Sequence, residues 1–309
     1  MYEQSKRQIL ITGASGYVGD ELCKAFSDKG SEINALFRYT RPQTRPNITP
    51  VCCNLFQEQA LMRTMQGMDT VVHLAWQGGF ANIIIGEETD EDAFANLKMT
   101  KTLIKVCEEM GIERFVFLSA IGASPNAESD FLREKYRCEW ELLNSKIPEK
   151  VIIRSGIVYD GGINTDRFIQ TITSLMAYPL FYPLPEAEKY LSVVHLKDIA
   201  AVCLGAVDVE LNSTSSIIEV CEPQQYTLED ICKRAVAKYV PGKRLAIKGF
   251  ASKLFLNLVE KKRKQTENQY SLKDVLNFGQ QIDSENLNNN PLGKLIPENM
   301  ETLNNVLLK

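Results

Sequence analysis

The sequence predicts an α/β fold in which helices cover both faces of a parallel sheet. Two observations predict it. Short apolar runs rich in branched residues alternate along the first half of the chain with amphipathic segments of helical period. The first of these runs also ends in a glycine-rich turn that opens directly into a helix. Strands and helices that repeat in this order favour parallel strands joined by crossover helices.

The elements of the first half follow from these patterns. Residues 8–12 (QILIT) form the continuous apolar run of a strand buried on both faces. Val18, Leu22 and Phe26 recur at four-residue steps and predict a helix, which the sequence Asp-Lys-Gly ends. Further strands are predicted at 32–38, 69–76, 114–122 and 149–159, an amphipathic helix at 94–111, and another helix that contains the sequence SDFLREKYRCEW (129–140).

The second half predicts a smaller α/β region. Thr227 and Asp230 have capping-box spacing at the start of an amphipathic segment, which predicts a helix there. We therefore divide the chain into a first domain of residues 1–160 and a smaller, interleaved region of residues 161–309. The other elements predicted there are a helix near 166–177, a proline-rich turn at 178–188, a strand at 216–222, an Asn-rich loop at 284–293 and a last helix from Pro297.

Charge and cysteine content limit the classes of function. A formal net charge of -4 gives no basic surface for nucleic acid or for an anionic membrane, so a small molecule or a protein is the expected partner. The eight cysteines include no Cys-x-x-Cys pair, and the chain has two histidines, His73 and His195. We expect buried thiols and no metal site. The N-terminal apolar run is too short for a signal or a span, which predicts a cytoplasmic protein.

The glycine turn predicts a dinucleotide site. Gly13, Gly16 and Gly19 follow a strand and open a helix, so the backbone can approach a pyrophosphate at the helix N-terminus. The alternative is that these glycines only permit tight packing.

These motifs together resemble the short-chain dehydrogenase/reductase superfamily in its extended and atypical branches. Those branches include the NAD-dependent epimerases and dehydratases, the NmrA-like proteins and the complex I accessory-subunit-like proteins. The segments that carry the resemblance are ITGASGYVGDEL, MDTVVHLA, ANLKMTKTLIKVCEEMGIERFVFLSA, VIIRSGIVYDGG and VVHLKDIA, in this order between residues 8 and 240. The resemblance implies a Rossmann-type doubly wound sheet with a smaller C-terminal α/β substrate region.

The resemblance also implies how the cofactor is bound. In the family, the residue at the end of the second strand determines whether NAD or NADP binds. Here that position carries Arg38, with Arg41 and Arg45 nearby. A guanidinium suits a 2′-phosphate, so NADP(H) is favoured and NAD(H) is possible; the alternative is a solvated basic loop. Asn54 stands where relatives have an Asp that contacts the adenine. The residues predicted to bind the cofactor are Gly13, Ser15, Gly16, Tyr17, Val18, Arg38, Asn54, Leu55, Ala75 and Lys135.

The catalytic residues implied by the resemblance are a Ser or Thr, a Tyr, and a Lys four residues after the Tyr. Lys135 fits, but Phe131 stands where the tyrosine is expected, and a phenyl ring has no proton to give. Tyr136 follows by one residue and is rotated about 100° from that helix face. Ser119 matches the serine only approximately. His73 is expected to be a core residue. The candidate catalytic residues are therefore Lys135, Ser119 and Tyr136.

Three functions stay open at this point. The first is an NAD(P)-dependent, epimerase/dehydratase-like oxidoreductase that acts on a small hydroxyl, carbonyl or nucleotide-sugar substrate. The second is a non-catalytic NADP(H)-binding sensor or accessory protein. The third is an interaction protein with an empty Rossmann-like site. A homodimer is possible, since relatives often pair through helices of the first domain.

Overall fold

A computed structural model describes residues 7–77, 95–127, 129–162, 168–170, 173, 181–183, 190–224, 226–240, 242, 245–247, 300 and 303. The predicted Asn-rich loop, the start of the helix predicted from Pro297 and most of the helix predicted at 166–177 lie outside these residues. Within them, residues 168–170, 173 and 303 are helical. The described part of the chain contains no helix that is long and apolar enough to span a membrane.

Seven parallel strands form the central sheet, in the order β11-β6-β5-β4-β1-β2-β3. The strand order reverses at β1, which lies between β4 and β2. The predicted doubly wound α/β fold is confirmed. The strands of this sheet are β1 (Ile9–Thr12), β2 (Ile33–Phe37), β3 (Ile48–Cys52), β4 (Thr70–His73), β5 (Arg114–Ala120), β6 (Glu149–Ser155) and β11 (Ser215–Val220).

Helices cover both faces of this sheet. On β1, Ile9 and Ile11 face the core shared with α1 and α5, whereas Leu10 faces the core shared with α2, α3 and α4. Alternate residues of one buried strand therefore supply two separate cores, as a period of two requires. The described helices are α1 (Tyr17–Asp28), α2 (Glu58–Thr64), α3 (Ala95–Met110), α4 (Asp130–Leu143), α5 (Leu196–Asp208) and α6 (Leu228–Tyr239).

The prediction of a single strand at 149–159 is wrong, because the strand divides at Gly156. The Gly156 N–H donates to Val220 O at 2.9 Å, whereas the next N–H, of Ile157, donates to Ser192 O at 2.9 Å. The chain thus leaves the large sheet and continues as β7 (Ile157–Tyr159), which pairs with β10 (Val193–His195). A side chain at Gly156 would have its Cβ 2.7 Å from Ser192 O, so the change of partner requires glycine.

Further elements differ from the sequence prediction. The strand β3 and the short helix α2 were not predicted, because β3 is a half-exposed edge strand that contains Pro50 and lacks a continuous apolar run. Part of the predicted proline-rich turn is instead the strand β8 (Phe181–Pro183), which pairs with β13 (Leu245–Ile247). Such long-range pairing overrides the local turn signal of the prolines.

Residues of the second half complete the first-half sheet. β11 pairs with β6, and the helix α5 packs against α1. The Thr227 hydroxyl accepts a hydrogen bond from the Asp230 N–H at the start of α6, which confirms the predicted cap. The division at residue 160 stays a prediction, since the two parts share one sheet.

A buried carboxylate joins several elements of the second half. Glu222 is 2% exposed, and its side chain accepts hydrogen bonds from the Tyr159 hydroxyl, from the Tyr226 hydroxyl at 2.7 Å and from the Leu303 N–H at 3.1 Å. Burial raises the pKa of Glu222, and the hydroxyl donors oppose that rise. These bonds connect β7, the short strand β12 (Tyr226–Thr227) and a residue near the C-terminus.

We predict that Tyr226→Phe destabilises the fold. The substitution removes one donor from a buried carboxylate, which typically costs about 1–3 kcal/mol. Urea unfolding followed by circular dichroism measures the loss. Tyr190→Phe is the matched control, because Tyr190 is 49% exposed in β9 (Tyr190–Leu191), the strand that pairs with β12, and should change stability by less than about 0.5 kcal/mol. Equal losses in the two variants would contradict a structural role for Glu222.

Candidate dinucleotide site

The glycine turn after β1 packs so closely that side chains are excluded from it. Gly13 has φ +71°, and a Cβ there would lie 2.7 Å from the Ala75 N atom. A Cβ at Gly19 would lie 2.1 Å from Gly13 O, which allows α1 to begin directly against the turn. The first N–H groups of α1 have no partners within the helix and form a potential anion site.

A cleft of about 470 Å³ opens above this turn, at the carboxyl ends of β1, β2 and β4. Its lining contains Gly13, Ser15, Gly16, Arg38, Asn54, Leu55 and Ala75, all of which were predicted to bind the cofactor. Tyr17, Val18 and Lys135, which were also predicted, are not in the lining. The lining further includes Thr12, Leu36, Phe37, Tyr39, Thr40, Cys53, Leu74, Trp76, Gln77 and Met99.

A chain of hydrogen bonds beneath the cleft fixes the turn against β4. The Thr12 hydroxyl accepts from the Ala75 N–H at 3.3 Å and shares a second hydrogen bond, of 2.7 Å, with His73 Nδ1. The other ring nitrogen, Nε2, shares a hydrogen bond of 3.1 Å with the Thr100 hydroxyl. Burial lowers the pKa of His73 to about 3, so the ring is neutral. His73 is a core residue of β4, as predicted.

The three arginines near the end of β2 have different surroundings. Arg45 binds both carboxylate oxygens of Asp20 at 2.8 Å and is thus engaged by α1. Arg38 lines the cleft and is exposed, with its guanidinium 4.2 Å from the ring centroid of Tyr39. Arg41 is exposed and is not in the lining. Arg38 is therefore the arginine placed to meet a ligand in the cleft.

Asn54 lies at the same end of the cleft, after β3. Its Oδ1 accepts from the Phe56 N–H at 3.2 Å, which turns the chain toward α2. An amide oxygen has two lone pairs, so Oδ1 retains one for a ligand. Leu55 beside it is 7% exposed and contributes apolar surface.

Lys135 is buried among aromatic rings. Its Nζ donates to Leu118 O at 2.7 Å and lies 3.7 Å from the ring centroid of Trp76. Phe117 and Phe131 complete the surroundings, with centroids 4.9 and 5.7 Å from Nζ. Burial lowers the pKa of Lys135 to about 8. We call these three rings with Lys135 the lysine box.

Phe131 is part of this packing. It is 9% exposed and its ring meets that of Trp76 edge to face, with centroids 5.5 Å apart. Tyr136, the alternative proton donor, is half-buried on another side of α4.

Ser119 belongs to a buried polar network. It is 2% exposed, and its hydroxyl donates to Glu139. Glu139 in turn accepts two hydrogen bonds from Arg154, at 3.0 and 2.7 Å. The structure thus directs Ser119 toward α4, and it is not in the cleft lining.

Trp76 is held in place by residues that the sequence analysis did not single out. The Asn96 side chain accepts from the Gln77 N–H at 2.5 Å and donates to Gln77 O at 3.2 Å. Glu134 accepts from Asn96 Nδ2 at 3.1 Å and from the Leu97 N–H at 3.0 Å. The sequence feature that could have pointed to this position is the bulky aromatic residue Trp76, which directly follows Ala75 where the chain leaves β4.

Comparison with known proteins identifies the segment that builds the cleft. Residues 9–139 match the family described as NAD dependent epimerase/dehydratase. These residues form an epimerase/dehydratase-family domain. The resemblance stated from the sequence is confirmed for this domain, which contains the glycine turn, the cleft and Lys135.

Relatives extend beyond the domain at low identity. An uncharacterized protein of Mycobacterium tuberculosis is 25% identical over 235 residues, which cover 76% of this chain and 24% of that protein. Subunit 9 of the NADH dehydrogenase [ubiquinone] 1 alpha subcomplex of Arabidopsis thaliana is 24% identical over 237 residues, 72% of this chain and 56% of that protein. The chain thus spans about a quarter to about half of the length of these relatives.

A solved structure supports the fold. It is a tyrosine-to-phenylalanine mutant of UDP-glucuronic acid 4-epimerase from Bacillus cereus in complex with UDP-4-deoxy-4-fluoro-glucuronic acid and NAD. The TM-score is 0.59 at 20% identity, over 88% of this chain and 97% of that chain.

We predict that Lys135→Met changes how stability depends on pH. The pKa of Lys135 is about 8 in the folded protein against an ordinary value of 10.5, so between these pH values the unfolded chain binds more protons. Stability of the wild type therefore rises with pH across this window. Across this window, the unfolding free energy of the wild type minus that of Lys135→Met should increase by roughly 3 kcal/mol.

Urea unfolding at a series of pH values measures this difference. Lys98→Met, at an exposed position on α3, is the matched control and should parallel the wild type. A constant difference between the wild type and Lys135→Met would show that Lys135 titrates as it does in water.

Proposed function

We propose that this chain binds NADP(H) through its epimerase/dehydratase-family domain and lacks the usual Tyr–Lys proton transfer of the superfamily. The cleft above the glycine turn is the observation that carries the proposal, because it combines a helix N-terminus, an exposed arginine and an apolar floor at the point where the strand order reverses. Calorimetric titration of the purified protein with NADPH and NADH tests the proposal. A protein that binds neither cofactor would overturn it.

The choice of NADP(H) rests on Arg38. The family description names NAD, and the epimerase mutant holds NAD. At the end of β2, however, this chain carries Arg38 and no acidic residue, and a 2′-phosphate would meet a guanidinium there. Glu32 and Asp28 stand before β2, at its opposite end.

A binding role without turnover is supported by the lysine box and by Ser119. Phe131 has no hydroxyl, Lys135 donates to Leu118 O, and Ser119 donates to Glu139. Lys135 and Ser119 therefore each have a protein partner, and the residue at position 131 has no proton to give. A phenylalanine in place of a tyrosine is compatible with bound NAD in the Bacillus cereus epimerase mutant. The plant relative is named as a subunit of a larger assembly, which fits a sensor or accessory role.

The second candidate function is an epimerase/dehydratase-like oxidoreductase. It is favoured by the description of the matched family and by the nucleotide sugar held in the epimerase mutant. The substrate would be a small hydroxyl, carbonyl or nucleotide-sugar compound. Spectrophotometric assay of a nucleotide-sugar and aldehyde panel with both cofactors tests this candidate, and turnover of any member would favour it over the sensor role.

We predict that Arg38→Ala lowers the affinity for NADPH by about ten- to a hundredfold and leaves the affinity for NADH unchanged. A hydrogen bond between charged groups contributes about 1.5–3 kcal/mol, and NADH lacks the 2′-phosphate that would form it. Calorimetric titration measures both affinities. Arg41→Ala is the matched control and should alter neither by more than about twofold. An equal loss for both cofactors in Arg38→Ala would remove the case for a 2′-phosphate subsite.

We predict that Phe131→Tyr does not create turnover. The new hydroxyl would extend a ring that packs against Trp76, and Lys135 Nζ already donates to Leu118 O. Consumption of NADPH with the substrate panel measures this, and Tyr136→Phe is assayed beside it. Turnover in Phe131→Tyr, or wild-type turnover that Tyr136→Phe abolishes, would contradict the sensor role.

A further inference from the structure

Among the described residues, the lining of the cleft reaches Trp76 and Gln77 and does not include the residues expected to meet a nicotinamide ribose. Its lining runs from Arg38 and Asn54 past the glycine turn to Trp76 and Gln77. Lys135 and Ser119 are outside that lining. The indole of Trp76 thus stands between the cleft and the ammonium group of Lys135, which is 3.7 Å from the ring centroid and whose residue is 7% exposed.

This placement of Trp76 is built into the fold. Its main chain is bracketed by two anchors, the Ala75 N–H on the Thr12 hydroxyl and the Gln77 N–H on Asn96 Oδ1. Its ring contacts both the ammonium of Lys135 and the ring of Phe131, which lie on one face of α4. A ligand group that reaches Lys135 from the cleft must first displace the indole from both contacts.

We propose that Trp76 divides the site, so that the cleft binds the adenosine diphosphate half of the nucleotide while the nicotinamide half stays outside the lysine box. This inference rests on the proposed function and deepens it. The ligand class is an adenosine nucleotide with a diphosphate and, next to Arg38, a 2′-phosphate. Trp76 is then the residue that determines how much of a dinucleotide the protein recognises.

The test compares a whole dinucleotide with its adenosine fragment. The full-length Trp140→Phe variant is titrated with NADPH and with adenosine 2′,5′-bisphosphate. Trp140 is 53% exposed on α4, and the chain has two tryptophans, so this variant leaves Trp76 as the sole indole reporter. We expect the fragment to bind within about threefold of NADPH, and both to change Trp76 emission.

Trp76→Ala should tighten the binding of NADPH by about tenfold or more and leave the affinity for the fragment unchanged, because only the nicotinamide half gains access. Reductive methylation read by mass spectrometry supplies a readout independent of any nucleotide. Lys135 should be protected in the wild type and modified in Trp76→Ala, whereas the exposed Lys98 should be modified in both.

The outcomes separate this inference from the proposed function. Binding of NADPH more than about threefold tighter than the fragment in Trp140→Phe would overturn the division by Trp76 while supporting a dinucleotide site. An equal loss of affinity for both ligands in Trp76→Ala would also overturn the division by Trp76. If neither ligand binds, the proposed function is refuted, and this inference with it. The comparison of NADPH with the fragment in Trp140→Phe needs no variant at Trp76, so it stands even if Trp76→Ala does not fold.

Discussion

The approach of Gly13 to the end of β4 is the constraint on which the site depends. A Cβ at Gly13 would meet the Ala75 N atom at 2.7 Å, so no other residue fits without moving the strand. The next residue, Ala14, donates its N–H to Leu36 O at the end of β2. One turn therefore joins three neighbouring strand ends and places the N-terminus of α1 where the strand order reverses. Both the cleft and its anion-binding end follow from this close packing.

Buried polar groups around this turn are satisfied by protein partners. His73 is neutral and has a threonine hydroxyl at each nitrogen. Lys135 carries a proton at neutral pH, and a carbonyl oxygen and aromatic faces replace its hydration. Glu139 is matched by Arg154. A proton relay needs a group that faces the reacting atoms, and these groups face the interior. The same contacts that stabilise the domain thus withdraw its candidate catalytic groups from the cleft.

Local patterns predicted the parts of the fold that are encoded locally. Gly13, Gly16 and Gly19 identified the turn because their spacing and the flanking strand and helix lie within about twenty residues. The four-residue spacing of Phe131 and Lys135 correctly indicated a shared helix face, and the structure buries that face. What that face meets could not be predicted, because Trp76 is more than fifty residues away and its position depends on the bonds of Gln77 to Asn96. The switch of strand partner at Gly156 depends in the same way on Ser192, a distant residue.

The two ends of the candidate site are built by different elements, so a residue at one end can change without disturbing the other. The end proposed to bind adenosine is formed by β1, β2, the end of β3 and α1, whose packing leaves no freedom at Gly13 and Gly19. The other end is formed by the segment after β4 and by α4, where a phenyl ring at position 131 packs against Trp76 without disturbing the turn. A tyrosine at position 131 would add a buried hydroxyl that requires a partner in the aromatic packing. An apolar surrounding of Lys135 beside a closely packed glycine turn is therefore a stable arrangement, and it supports the proposal that the domain binds a nucleotide.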